Sequence, residues 1–200
     1  MTHRAPDPDP DHARAIRLDP RNLKGLAHPL RLRLLGLLRE EGPATASMLA
    51  ARLGESSGAT SYHLRQLEGF GFITEDAERG TGRDRWWRAA HRSTYFDESS
   101  LARDPESRLL GAEFLRAIVG AGTDRALRWI EALPSIPEPW NRAGTLSDWG
   151  LRLTPEQAHE LGAELQAVIE RYPRHDPEVP APDGTAAVSV LVQILPRVSS

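Results

Sequence analysis

The chain has 200 residues, enough for one or two domains with a buried core. It contains no cysteine, which excludes disulfides, thiolate metal ligands and cysteine nucleophiles. No apolar run approaches the roughly 18 residues that a membrane-spanning helix needs. The N-terminal stretch MTHRAPDPDPDHARA also lacks the apolar segment of a secretory signal. Composition therefore predicts a soluble, cytoplasmic protein with no membrane partner.

The formal net charge of -3 conceals an uneven distribution of charge along the chain. Residues 20–92 contain 12 Arg or Lys against 8 Asp or Glu, whereas the remaining residues contain 13 against 20. The first segment is thus net basic by four charges and the rest net acidic by seven. A local excess of basic residues is what a phosphate-binding segment requires.

The N-terminal part of the pattern predicts a tail followed by three helices. Residues 1–17 are rich in Pro, Asp and Arg and are expected to be disordered. Helices are predicted over 20–27, over 30–41, and from a cap at Thr45 or Ser47 to Leu53. Met48, Leu49 and Leu53 are expected to bury the third of these helices.

A fourth helix, predicted over 57–70, has the features of a DNA-recognition helix. Small and hydroxyl residues open it, so that its first turn can approach a phosphate without steric hindrance. Thr60, Leu64 and Leu67 share one face at helical spacing and can anchor it to a core. A helix with one apolar stripe and a polar outer face is suited to insertion into the major groove of DNA.

A hairpin is predicted directly after this helix. Phe72–Asp76 and Arg85–Ala89 have strand patterns, and Gly80 and Gly82 permit a tight connection between them. Residues 77–85 would then form a wing that lies on the DNA backbone. Helices followed by such a hairpin make a winged helix-turn-helix domain, predicted over 18–98.

The strings LAHPLRLRLL, SYHLRQLEGFGFI and RGTGRDRWWRA, which lie between about Leu18 and Phe96, resemble the arsenic-repressor-like (ArsR) winged-helix regulators. The resemblance is greatest to the branch, common in actinobacteria, that carries a C-terminal extension. It implies a homodimeric DNA-binding regulator, usually a repressor. A dimer with two-fold symmetry that binds double-stranded DNA predicts a near-palindromic operator.

The predicted DNA contacts come from the fourth helix and from the wing. Alternative roles remain open: Arg79, Arg83 and Arg85 can be simply solvated, His63 can hydrogen-bond within the motif, and a surface glutamine often has no specific partner. The predicted DNA-binding residues are Ser57, Ala59, Ser61, Tyr62, His63, Arg65, Gln66, Arg79, Arg83 and Arg85.

Residues 99–200 are predicted to form a helical dimerisation region with a small C-terminal unit. A helix over 106–133 carries an apolar stripe, with a kink or break expected at Gly120–Gly122. A strand at 149–153, a helix over 154–172 and a strand at 186–195 would complete the unit. The overall class is α+β, mainly α. The residues predicted to form the dimer interface are Leu109, Leu110, Phe114 and Ile118.

Neither a cofactor nor a metal is predicted. The seven histidines show no ligand spacing, and the sequence contains no nucleophile elbow, phosphate loop or paired carboxylates, so an enzyme is not expected. A small-molecule effector is left open: Trp129, Trp140 and Trp149 can line an apolar pocket, or can pack as ordinary core. The alternative function is a winged helix used only for protein interaction or dimerisation, which would present apolar residues on the recognition face.

Overall fold

The computed structural model describes residues 15–80, 84–95 and 105–197. Its helices are α1 Pro20–Leu26, α2 Pro29–Glu40, α3 Ala46–Leu53, α4 Ser57–Gly69, α5 Pro105–Ala132, α6 Glu138–Ala143 and α7 Pro155–Ile169, with a 3-10 turn at Leu133–Ser135. Its strands are β1 Ala15–Arg17, β2 Ala44–Thr45, β3 Ile73–Glu75, β4 Trp86–Ala89 and β5 Ser93–Tyr95. Arg83, a predicted wing contact, lies outside the described residues.

The chain divides into two compact units. One comprises residues up to Thr123 together with Asp176–Pro180, and contains α1 to α4, all five strands and the first part of α5. The other comprises Asp124–His175 and the residues from Ala181 onwards. Five residues from late in the sequence thus belong to the unit that holds the helix-turn-helix.

Side-chain caps fix where the first helices begin and end. Asp19 accepts a hydrogen bond from the backbone N–H of Asn22 at 2.7 Å, and the Asn22 side chain accepts one from the N–H of Asp19, which closes a capping box. The Thr45 hydroxyl caps α3 by accepting a hydrogen bond from the N–H of Met48 at 3.3 Å. Gly54 ends α3 in the left-handed conformation, with φ of 67°. The caps at Thr45 and Gly54 confirm the predicted start and end of the third helix. Helices α1 and α2 each end one residue earlier than predicted, and α2 also begins one residue earlier.

The end of α4 leads the chain directly into the wing. The N–H of Phe72 donates to the carbonyl of Leu67 at 3.0 Å, and the N–H of Gly71 donates to the carbonyl of Glu68 at 2.8 Å. With Gly71 at φ of 79°, this is a Schellman motif. Phe72 and Leu67 are both fully buried, so the turn that ends the helix also places the first apolar residue of the hairpin in the core.

One apolar core lies between the helices and the hairpin of the first unit. Most of its members are leucines from α1, α2 and α4, joined by Phe72 and Trp87 of the hairpin and Phe114 of α5. Met48 does not contribute to it: the structure leaves this side chain exposed and buries Leu49 and Ala50 instead. The prediction for Met48 is therefore wrong, because α3 turns it away from the core.

The predicted hairpin belongs to a three-stranded antiparallel sheet in the order β2-β4-β3, with Ala44 opposite Trp87 and Thr74 opposite Arg88. From here on, the wing means this sheet and the connection between β3 and β4. A second, two-stranded sheet pairs β1 with β5 in parallel. The predicted disordered tail therefore extends too far, since Ala15–Arg17 forms a strand. Its backbone has a partner in β5 that sequence proximity did not reveal.

The region after residue 105 departs from the prediction in two ways. Helix α5 runs unbroken through Gly120–Gly122, and the Thr123 hydroxyl donates to the carbonyl of Val119 at 3.0 Å within the helix. The strands expected at 149–153 and 186–195 are absent, and the described residues there lack regular structure. Alternating apolar residues form a strand only where another backbone supplies hydrogen bonds. Helix α7 forms as predicted, with a capping box between Thr154 and Gln157.

The contact between α1 and the end of α4 generates a first prediction. A Cβ at Gly25 would lie 2.7 Å from Cγ of Phe70 and 2.8 Å from Cε2 of Phe72. Gly25→Ala should therefore destabilise the protein by about 1–3 kcal/mol through overpacking. Gly36→Ala is the matched control, since a Cβ at that helical position meets nothing within 4 Å. It should stabilise by up to about 1 kcal/mol.

Urea unfolding followed by circular dichroism measures both effects. If Gly25→Ala is as stable as Gly36→Ala, α1 does not pack against Phe70 and Phe72 as described.

Candidate nucleic-acid interface

Helix α4 separates an anchored face from an exposed one. Thr60, Leu64 and Leu67 are fully buried, as predicted from their spacing. The opposite face exposes Tyr62 and Arg65, with 53% of Tyr62 accessible to solvent. The helix is therefore held by its apolar stripe, while side chains with hydrogen-bonding groups face outwards.

The first turn of α4 is unhindered. Ser56 caps the helix, its hydroxyl accepting a hydrogen bond from the N–H of Ala59 at 3.2 Å. Ser57 and Gly58 are exposed, whereas Ala59 and Ser61 are half-buried. Small residues at a helix N-terminus let an anionic group approach the backbone N–H groups. Gly58 was not among the predicted contacts, although its lack of a side chain is a signal of this kind.

His63 and Gln66 are half-buried on the flanks of the exposed face. The His63 ring lies 4.4 Å from that of His28, and its Nδ1 is buried with no hydrogen-bond partner among the described residues. Burial lowers the pKa of His63, and the charges of His28 and Arg31 lower it further. This lowered pKa favours the neutral form of His63 at neutral pH. The ring packs towards the start of α2. There His28 caps the helix, its Nδ1 accepting a hydrogen bond from the N–H of Leu30.

Four arginines lie on or beside the wing, and we call them the wing arginines: Arg79, Arg85, Arg88 and Arg92. Arg79 contacts the buried carboxylate of Asp76 at 3.4 Å. Arg85 contacts Glu75 at 3.1 Å and lies over the ring of Trp87, 5.4 Å from its centroid. All four are exposed. Their guanidinium groups thus lie close to carboxylates of the same unit, including those of Glu75 and Asp76.

Arg88 and Arg92 were not predicted as site residues. Strand alternation carries the signal for Arg88, since it follows the buried Trp87 on β4 and so must lie on the outer face. The root of the wing is fixed by Arg39 of α2, whose Nε donates to the carbonyl of His91 at 2.8 Å. Its Nη2 donates to the Thr94 hydroxyl at 3.0 Å. Burial lowers the pKa of Arg39 to about 10, which leaves it charged.

The residues predicted for the dimer interface do not share a surface. Phe114 is only 2% exposed and packs in the core of its own chain. Leu110 is half-buried against that core, whereas Leu109 is 70% exposed and Ile118 is partly exposed. Phe114 is therefore a core residue rather than an interface residue: it lies five positions after Leu109, on a different face of the helix.

The described residues contain no group of three or more His, Asp or Glu placed to hold a metal ion. Among the predicted pocket tryptophans, Trp149 is exposed, whereas Trp129 packs so closely on Gly144 that an added Cβ would lie 2.8 Å from its ring. No helix in the described part of the chain is long and apolar enough to cross a membrane.

Comparison with known proteins identifies a helix-turn-helix domain in the chain. Residues 26–76 match a family model described as a helix-turn-helix domain. No curated protein matches the chain. Among solved structures, the homodimeric winged helix-turn-helix DNA-binding domain of a possible ArsR-family transcriptional regulator from Mycobacterium bovis is 25% identical. That match covers 54% of this chain and 79% of the other, with a TM-score of 0.32.

A mutant of ZitR from Lactococcus lactis, in its apo form, is 17% identical, and the match covers 72% of this chain and 83% of the other with a TM-score of 0.29. The family model covers α2, α3, α4 and β3, where the geometry of a helix-turn-helix is found. The chain therefore contains a winged helix-turn-helix domain.

Proposed function

We propose that the protein is a dimeric, sequence-specific DNA-binding repressor of transcription. In this proposal α4 enters the major groove and the wing arginines hold the phosphate backbone. The observation that carries the proposal is the outer face of α4, which presents Tyr62, Arg65 and Gln66 beside an unhindered first turn. Arginine and glutamine can each make paired hydrogen bonds to the edge of a purine in the major groove.

A module used only for protein interaction would need a different surface. The centre of a protein interface is depleted in charged residues and enriched in apolar ones. The exposed face of α4 instead carries a charged residue, Arg65, and an amphipathic one, Tyr62, and the wing exposes the four wing arginines. These features favour a polyanionic partner, and duplex DNA is the partner whose groove admits a helix.

For the dimer, we propose that the exposed side of α5 pairs with its copy across a two-fold axis. The side in question is the one that exposes Leu109, a large apolar side chain that is 70% exposed. Ile118, nine positions further along, lies on the opposite side of the helix. Two copies of α4 would then reach successive major grooves roughly 34 Å apart, which implies a near-palindromic operator. We propose repression rather than activation because occupying an operator suffices to exclude polymerase, whereas activation needs a further contact.

The proposal predicts different effects for wing and recognition-helix variants. Arg85→Ala should weaken binding to every duplex and reduce the slope of log affinity against log salt by about one unit, as expected for one lost phosphate contact. Tyr62→Ala and Gln66→Ala should instead change discrimination between operator and unrelated DNA. For Gln66, whose amide can form a pair of hydrogen bonds with adenine, the change should be about 1–3 kcal/mol. Fluorescence anisotropy over a salt series measures both quantities.

Arg171→Ala is the control, since it removes the same charge from an exposed position outside the winged helix-turn-helix domain. It should bind DNA as the unmodified protein does. A wild-type protein with no salt-dependent affinity for any duplex contradicts the proposed function.

The dimer proposal is tested by placing a charge on the exposed side of α5. Leu109→Asp should shift the protein to monomers and weaken operator binding, because a carboxylate at an apolar interface loses its hydration without a partner. Leu146→Asp makes the same change at an exposed leucine outside α5 and should leave the dimer intact. Sedimentation velocity over a concentration series measures assembly, and a wild-type protein that stays monomeric throughout contradicts the proposal.

A further inference from the structure

A short acidic segment from late in the sequence, Asp176–Pro180, belongs to the same compact unit as the winged helix-turn-helix. Pro177 lies close to Gly42, where an added Cβ would stand 3.5 Å from the Cβ of the proline. The segment is a turn in which the N–H of Glu178 donates to Oδ1 of Asp176 at 3.1 Å. We call it the acidic turn. Its two carboxylates are thus held close to each other by the backbone.

Those two carboxylates contact three of the wing arginines. Asp176 pairs with Arg92 through Oδ2 and Nη2. Oε2 of Glu178 lies 3.5 Å from Nη2 of Arg88, and Oε1 lies 3.6 Å from Nη2 of Arg79. Asp176 follows Arg92 by 84 positions in the sequence, and Glu178 follows Arg88 by 90. The two carboxylates of the acidic turn therefore offset positive charge on Arg79, Arg88 and Arg92.

Carboxylate and phosphate oxygens use the same guanidinium N–H groups. An N–H that donates to Glu178 is not available to a DNA phosphate at the same time. We propose, on the basis of the function proposed above, that the acidic turn is an intramolecular competitor of DNA phosphates for Arg79, Arg88 and Arg92. The turn is then an autoinhibitory element that lowers the affinity of the wing for DNA.

The exposure of the pairs makes this competition reversible. The side chains of Arg79, Arg88 and Arg92 are 44–49% exposed, so each ion pair is weak and screened by salt. The turn nevertheless acts at a high local concentration, because it is part of the same chain. DNA affinity is then reduced by the fraction of molecules whose arginines are free of the turn.

The test compares the wild type with the double variant Asp176→Asn, Glu178→Gln, which keeps the shape of the turn and removes both charges. The probe is a fluorescein-labelled duplex of mixed sequence, about 30 base pairs long, because backbone contacts do not depend on sequence. At low salt the variant should bind about 3- to 30-fold more tightly.

The slope of log affinity against log salt should also steepen, by up to about three units. When the wild type binds DNA, it either leaves the corresponding phosphates unpaired or frees the carboxylates of Asp176 and Glu178, which then take up cations. Both effects reduce the net release of cations, and neither occurs in the variant.

A matched control separates competition from a general gain of positive charge. Glu160→Gln, Glu164→Gln makes the same charge change on exposed residues of α7. It should bind within about twofold of the wild type. A second measurement introduces Arg88→Ala into the wild type and into the double variant Asp176→Asn, Glu178→Gln, which we call the released variant. The loss of affinity should be larger in the released variant, where Arg88 is free to contact DNA.

The proposal is overturned if the released variant binds with the affinity and slope of the wild type, or more weakly. It is also overturned if the α7 control tightens binding equally, or if Arg88→Ala costs the same in both backgrounds. In each of these cases DNA binding itself stands. If neither the wild type nor the released variant binds the duplex, the proposed function fails as well.

Discussion

The burial of one face of α4 is the constraint on which the rest of the structure depends. Leu64 and Leu67 are fully enclosed by the core, and burying two leucines contributes several kcal/mol, about 1.5–3 for each. This fixes the rotation of the helix about its axis and so determines that Tyr62 and Arg65 face outwards. The Schellman turn at Gly71 then sends Phe72 into the same core, so the position of the wing follows from the anchoring of the helix.

Charge on the surface is balanced more closely than the basic segment alone indicates. Arg85 contacts Glu75, Arg79 contacts Asp76, and the acidic turn contacts Arg79, Arg88 and Arg92. These carboxylates orient the guanidinium groups. In our proposal, those of the acidic turn also compete with DNA phosphates for them. Under the proposed function, a wing of this kind binds phosphates only by exchanging partners, and its affinity for DNA is then sensitive to salt and to displacement of the acidic turn.

Local signals predicted the local structure well. The caps at Asp19, Thr45 and Thr154 mark helix starts because side chain and backbone pair within three residues, and the spacing of Leu64 and Leu67 identified the buried face of α4. Features set by distant partners were missed: the pairing of β1 with β5, the burial of Phe114, and the acidic turn. The prediction of a kink at Gly120–Gly122 is wrong because glycine lowers helix propensity without forbidding a helix.

Amide hydrogen exchange with and without a saturating duplex tests the central claim most directly, since it reports which backbone segments DNA covers. The account predicts slower exchange in the first two turns of α4, residues 57–64, and in the strands of the wing, with little change in α7. Exchange in the acidic turn should become faster, because DNA displaces it. Protection confined to α5 or α7, with α4 unchanged, would contradict the assignment of α4 as the recognition helix.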